Sequence, residues 1–150
     1  MPSIEDNCFI LPWTVPADAI DGLGHTNNAA YIPWCEAVAW QHSELLGLSL
    51  ADYQATNKAM AIRQAHYDYH QPSFEADKLE IITWLSDCDG KLRLRRNFQI
   101  KRCSDQVLIM EAYWNFICIN IKTGKPSRMP ESYLSAYATA ALAQPMRQED

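Results

Sequence analysis

The residues whose types and order could do chemistry lie between Asp21 and Leu46, in the run DGLGHTNNAAYIPWCEAVAWQHSELL. An acid and a histidine precede two asparagines, and the longest helix-compatible run of the chain follows at once. The first N–H groups of a helix lack partners within the helix, and the helix dipole favours negative charge at that end. We therefore predict an active site where the loop meets the helix.

The elements around this junction predict an α+β domain. The helix is expected from about Asn28 to Leu46, with Gly47 as its stop. A buried stripe is predicted at Tyr31, Cys35, Val38, His42 and Leu45, and Trp40 lies off it, so we expect strands to wrap the helix. The other predicted elements are strands Cys8–Val15, Lys58–His70, Lys78–Ser86, Lys91–Cys103 and Val107–Ile121, a short helical turn Leu48–Ala55 and a final helix Glu131–Ala141.

Length and composition indicate one domain over residues 1–150, with a core at about 8–141 and a loose tail, Gln144–Asp150. The net charge of −5 disfavours nucleic acid as a partner. No apolar run is long enough to span a membrane, and the N-terminus lacks the charged start of a secretory signal. Five cysteines without a CxxC pair are typical of reduced thiols in the cytoplasm.

Neither a metal nor an organic cofactor is predicted. The spacing His66-x-x-x-His70 places two rings on one strand face, but it offers no evident third ligand, and a zinc site needs three or four.

Three motifs carry a resemblance to a known family. The run Asp21-x-x-Gly24-His25-Thr26-Asn27-Asn28-Ala29-x-Tyr31 resembles the signature of the hotdog-fold acyl-CoA thioesterases of the 4-hydroxybenzoyl-CoA thioesterase type, in the branch with D-x-x-G-H-V-N-N. Two supporting stretches are Tyr69-x-x-Pro72 followed by Asp77, and Thr123–Pro126 followed by Met129–Glu131. The chain departs from the family pattern at Ala19, Ala76 and Ala39, where many members have an acid, a glycine and an arginine.

The resemblance implies a hotdog fold, with a long central helix wrapped by an antiparallel β-sheet, and hydrolysis of an acyl-CoA to a free acid and CoA. It implies that Asp21 is the general base or the nucleophile and that the Asn28 N–H stabilises the oxyanion. His25 either assists Asp21 or the thioester, or ties the turn to the helix. It also implies a homodimer or homotetramer.

Further residues are assigned to substrate binding, each beside a plainer interpretation. Asn27 and Asn28 are equally good helix caps, Tyr31 suits the core, and Glu36 is either a residue of a partner's acyl pocket or a solvated helix residue. Candidates for the CoA phosphates are Arg93, Arg95, Lys125 and Arg128, which would otherwise be solvated. Arg96, on the apolar strand face, is expected to meet an acid in the core or at a subunit contact. The alternative to an enzyme is a domain that binds an acyl thioester without hydrolysing it.

Overall fold

The computed structural model describes residues 1–142, in which a six-stranded antiparallel sheet packs against one long helix. The strands are β1 (Ser3–Glu5), β2 (Cys8–Thr14), β3 (Lys58–Tyr69), β4 (Lys78–Ser86), β5 (Arg93–Arg102) and β6 (Leu108–Asn120). The helices are α1 (Tyr31–Leu45), α2 (Leu50–Thr56) and α3, which comprises Glu131–Tyr133, a π-helical stretch Leu134–Ala138 and Thr139–Leu142. The predicted α+β class is confirmed, and the predicted tail Gln144–Asp150 lies outside the described residues.

Alternation along β5 shows how the sequence fixes the faces of the sheet. Leu94, Arg96, Phe98 and Ile100 are buried, and the residues between them point to the other face. The turn before β5 is longer than the Asp-Gly pair predicts, because the Asp89 carboxylate accepts the N–H groups of residues 91, 92 and 93. The strand therefore begins at Arg93 and not at Lys91.

Helix α1 follows a 3₁₀ turn, Asn28–Ala30, and ends just before Gly47, whose φ of +97° suits glycine. Tyr31, Cys35, Val38 and His42 are buried as predicted. Leu45, predicted on the same stripe, is 62% exposed, because the helix ends there and the sheet does not reach it. The predicted contact of the helix with an antiparallel sheet is confirmed, but one side of α1 stays accessible in the single chain.

The order of strands is β1-β2-β4-β5-β6-β3, so β3 forms one border of the sheet. In the described part of the chain β3 pairs only with β6, with a bulge between Ile62 and Gln64. The middle of β3, residues 62–66, is exposed. An edge strand of this kind presents N–H and C=O groups that a further strand can pair with.

The main core lies between α1 and the sheet, and it includes Val38, Ile81, Phe98 and Ile100. A second cluster joins α2 and α3 to the sheet around Tyr53, Leu94 and Tyr133. Two elements differ from the sequence prediction, since β1 was not predicted and α2 begins two residues later than expected. Among residues 1–142, no helix is long and apolar enough to cross a membrane.

Candidate active site

The loop that carries Asp21 is closed by backbone hydrogen bonds at its base. Asp21 N–H donates to the His25 carbonyl at 2.9 Å, and Gly24 N–H donates to the Asp21 carbonyl at 3.0 Å. Oδ1 of Asp21 accepts the Leu23 N–H at 2.9 Å, which makes the residue a turn former as well as a candidate acid. Its other oxygen, Oδ2, accepts no hydrogen bond from residues 1–142.

Buried hydroxyl groups fix this loop to the start of α1. Oγ of Ser73 lies 2.6 Å from Thr26 Oγ1 and 2.7 Å from the Tyr31 hydroxyl. Thr26 N–H also donates to the Ser73 carbonyl at 2.9 Å. Ser73 was not among the predicted site residues, although it directly follows Pro72 of the second motif, because nothing in the sequence distinguishes one loop serine from another.

Asn27 and Asn28 have different roles at the helix start. Asn27 is the N-cap of the 3₁₀ turn, and its Oδ1 accepts the Ala29 N–H at 2.9 Å, which confirms the capping prediction for this residue. Among residues 1–142 the Asn28 side chain makes no capping hydrogen bond, so that prediction was wrong for this residue, because Asn27 already occupies the cap position. The Asn28 N–H is not engaged by any group in the described range.

These groups meet in an open cavity of ≈ 430 Å³, which we call the loop cavity. It brings together five of the predicted site residues with the end of β3 and the residues after it: Asp21, His25, Asn27, Asn28 and Tyr31 with Tyr69–Pro72. The His25 ring packs edge-on against Phe74 at 5.3 Å. Within residues 1–142 its side chain shares no hydrogen bond with the Asp21 carboxylate. The contacts that His25 does make, its ring with Phe74 and its carbonyl with the Asp21 N–H, are those of a residue that holds the loop in place.

A second cavity, of ≈ 150 Å³, lies between α1, α2, α3 and strands β3, β5 and β6, and we call it the helix–sheet cavity. Its wall is mostly apolar and aromatic, with Ile62, Trp114 and Phe116 among its residues. Glu36, an exposed residue of α1, and Arg96 also line it. The structure therefore places the predicted substrate-binding residue Glu36 away from Asp21 within one chain.

The basic residues predicted for the CoA phosphates line neither cavity. Arg95 lies on the outer face of the sheet, where its guanidinium stacks 4.0 Å above the Tyr113 ring and its Nε donates to Asn115 Oδ1 at 2.9 Å. Arg93 is an exposed residue at the start of the same strand, and Lys125 and Arg128 follow β6. Their role in binding CoA stays a prediction.

Arg96 meets no acid in the core of the described chain, so that expectation was wrong, and the alternative of an acid at a subunit contact stays a prediction. Its Nη1 lies 2.9 Å from His42 Nδ1 and donates to Thr83 Oγ1 at 3.1 Å, and its Nη2 donates to Ser43 Oγ at 3.3 Å. No carboxylate of residues 1–142 forms an ion pair with it. Arg96 on β5 faces α1, and the polar residues of α1 opposite it are His42 and Ser43. The sequence did not reveal this contact.

Histidine 42 accepts this hydrogen bond as a neutral ring. Burial, and then the nearby charge of Arg96, lowers the pKa of His42 to about 3. Burial lowers the pKa of Arg96 to about 10, so the guanidinium keeps its charge at neutral pH. The core of this domain thus holds one positive charge that is bound only by neutral groups of the described chain.

The fold and the loop cavity define the class of protein. A long helix on an antiparallel sheet, with an acid beside the helix start, is the arrangement of the hotdog-fold thioesterases. The chain belongs to the Thioesterase-like superfamily, whose family model matches residues 15–137. It is therefore a thioester hydrolase.

Individual relatives agree with this assignment. The chain is 28% identical over 110 residues to the long-chain acyl-CoA thioesterase FadM of Escherichia coli (strain K12), covering 71% of this chain and 79% of FadM. Two solved structures share the fold. Protein SAV2348 of Staphylococcus aureus in complex with CoA has a TM-score of 0.87, 22% identity and coverage of 95% and 89% of the two chains. Slr0204, a 1,4-dihydroxy-2-naphthoyl-CoA thioesterase from Synechocystis, has a TM-score of 0.79, 18% identity and coverage of 87% and 96%.

Proposed function

We propose that this protein hydrolyses an acyl-CoA thioester to a free acid and CoA, with Asp21 and the Asn28 N–H as its reacting groups. The observation that carries the proposal is their common position in the loop cavity, with a carboxylate oxygen and a backbone N–H both unengaged by the rest of the described chain. Two named relatives, FadM and Slr0204, act on acyl-CoA substrates, and SAV2348 binds CoA, which supports CoA as the carrier.

In the proposed reaction, Oδ2 of Asp21 takes a proton from water while the water oxygen attacks the thioester carbon. Negative charge then develops on the carbonyl oxygen, and the Asn28 N–H at the helix start stabilises it. The C–S bond breaks, the acid is released, and the CoA thiolate takes up the proton that Asp21 holds, which restores the carboxylate. Attack by Asp21 itself, through an anhydride, is the alternative route. The oxygen of labelled water then enters the carboxylate of Asp21 in a single turnover when water opens the anhydride at the aspartyl carbon, so label in Asp21 identifies this route, whereas label in the product acid alone fits both routes.

The proposed working unit is a homodimer or a dimer of dimers. Two copies of β3 that pair antiparallel about their middle place Tyr69 of one strand near Lys58–Met60 of the other. Tyr69 lines the loop cavity and Met60 lines the helix–sheet cavity, so these two cavities, from different protomers, would adjoin. In this dimer Glu36, which is remote from Asp21 of its own chain, would lie near the loop cavity of the partner. A cytoplasmic location stays a prediction.

The experiment that tests the function is release of free thiol from a panel of acyl-CoAs with short, medium, long and aromatic acyl groups, by wild type and Asp21→Ala side by side. We expect turnover of at least one substrate by wild type and its collapse in the variant, with folding intact by circular dichroism. Binding of an acyl-CoA by wild type without turnover would instead favour a domain that only holds the thioester. Turnover by Asp21→Ala at the wild-type rate would contradict the assignment of the base.

A further inference from the structure

The helix–sheet cavity combines an apolar wall with a buried charge. Its volume of ≈ 150 Å³ equals that of an engineered apolar cavity that takes up benzene, so it suits a group of about six carbons. Ile62, Leu94, Trp114 and Phe116 supply apolar surface, whereas Arg96, which is only 2% exposed, and Ser43 supply polar groups. A cavity for a plain hydrocarbon has no need of a guanidinium in its wall.

The hydrogen bonds of Arg96 leave part of the guanidinium unused. A guanidinium has five N–H donors, and the contacts with His42, Thr83 and Ser43 use two on Nη1 and one on Nη2. The Nε–H and the second Nη2 N–H donate to no group of residues 1–142. The three observed acceptors are neutral, so the buried charge is also uncompensated. A buried charge in this state costs free energy unless an anion meets it.

We propose that Arg96 is a specificity-determining residue that binds a carboxylate at the far end of the acyl group. The substrate class would then be the CoA monothioesters of short dicarboxylic acids, and the inference rests on the proposed thioesterase function. A carboxylate fits because its two oxygens match the fork of guanidinium N–H groups and its charge balances that of Arg96. The methylene groups between the carboxylate and the thioester would lie against the apolar wall.

The distance along α1 shows that this cavity would bind the acyl group of a thioester held by the partner subunit and not by its own chain. Ser43 lies 15 residues after Asn28 in the sequence, which is roughly 22 Å along a helix at 1.5 Å per residue. A six-carbon acyl group held at the Asn28 of its own chain cannot reach Arg96 over that length. The proposed pairing of two β3 strands brings the loop cavity of the partner to this place. A short acyl group bound there would reach the guanidinium.

The experiment compares kcat/KM for adipyl-CoA and hexanoyl-CoA, which have six acyl carbons and differ at the far end of the chain. Wild type should prefer adipyl-CoA by about 10- to 100-fold, the net worth of hydrogen bonds to a charged group. Arg96→Met should abolish the preference by slowing adipyl-CoA alone, and Arg96→Lys should retain part of it. Thr83→Val is the matched control, since it removes one neighbour of Arg96 but leaves the charge, and it should keep the preference.

The outcomes separate this inference from the proposed function. Equal turnover of both substrates by wild type, or a preference that survives in Arg96→Met, would overturn the role of Arg96 and leave the thioesterase function standing. Should Arg96→Met fail to fold, the wild-type ratio and Arg96→Lys decide the matter.

No turnover of any acyl-CoA would overturn the function, and ligand binding then tests the cavity alone. Hexanoate should raise the Tm of wild type, and 1-hexanol should raise it less. The difference should vanish in a folded Arg96 variant. An equal effect of the two ligands on wild type would refute carboxylate binding by Arg96.

Discussion

Two substitutions at Asp21 separate its role in the turn from its proposed role in the reaction. In Asp21→Asn the side-chain oxygen still accepts the Leu23 N–H, so the loop keeps its hydrogen bond but loses the charge. Asp21→Ala loses both. We expect kcat/KM to fall by about 10²- to 10⁴-fold in each variant, or about 2.7–5.4 kcal/mol of transition-state stabilisation, because each lacks the proposed base.

Stability should respond differently from activity. Asp21→Ala should lower the free energy of unfolding by about 0.5–1.5 kcal/mol, the worth of the lost hydrogen bond, and Asp21→Asn by less than about 0.5 kcal/mol. The assays are thiol release from the best acyl-CoA and urea unfolding. Asp18→Asn, an exposed acid in the turn just before the loop, is the matched control and should change neither quantity.

One result would refute the reasoning directly. If Asp21→Asn retains wild-type kcat/KM while Asp21→Ala is merely less stable, then Asp21 only forms the turn. The new Asn-Gly pair is prone to deamidation, which restores the acid, so the mass of the variant must be confirmed before and after the assay.

Two further predictions concern buried polar groups. Ser73→Ala should lower the free energy of unfolding by about 1–3 kcal/mol, since it strips the buried Tyr31 hydroxyl of its partner, whereas the exposed Ser104→Ala should have almost no effect in the same urea titration. Above pH 6.5 His42 is neutral in both the folded and the unfolded chain, so its contribution to the free energy of unfolding is fully present. As the pH falls from 6.5 towards 3, the unfolded chain binds a proton at His42 that the folded chain does not, and the free energy of unfolding decreases by up to about 1.4 kcal/mol per pH unit. His42→Gln should flatten the dependence measured between pH 6.5 and 5, and an unchanged slope would mean that Arg96 does not hold a neutral ring there.

The local sequence pattern was sufficient to predict most of the helices and strands. The span of α1, the four long strands and the start of α3 follow from apolar periodicity and turn residues, and the structure confirms them within a few residues. Strand β1 escaped prediction because three exposed residues carry no periodic signal. Leu45 was placed wrongly because helical spacing continues to the last turn, whereas the sheet ends earlier.

The sequence by itself determined the class of protein and the residues of the proposed site that lie together in one loop. The loop from Asp21 to Tyr31 is continuous in sequence, so its residues are neighbours in any fold, and their order resembles the signature of the hotdog-fold thioesterases. Its hydrogen bonds are likewise local, apart from those to Ser73.

Only the tertiary structure decided which side chains from distant segments of the chain come into contact. Ser73 meets Tyr31, and Arg96 meets His42, across separations of 42 and 54 residues, because the sheet lays β3 to β6 beside the helix. An arginine on an apolar strand face can pair with an acid, a histidine or a ligand, and its own sequence context is the same in each case. The packing of α1 against β4 and β5 selects among them, since it fixes which side chains lie within hydrogen-bond distance in a core that excludes water.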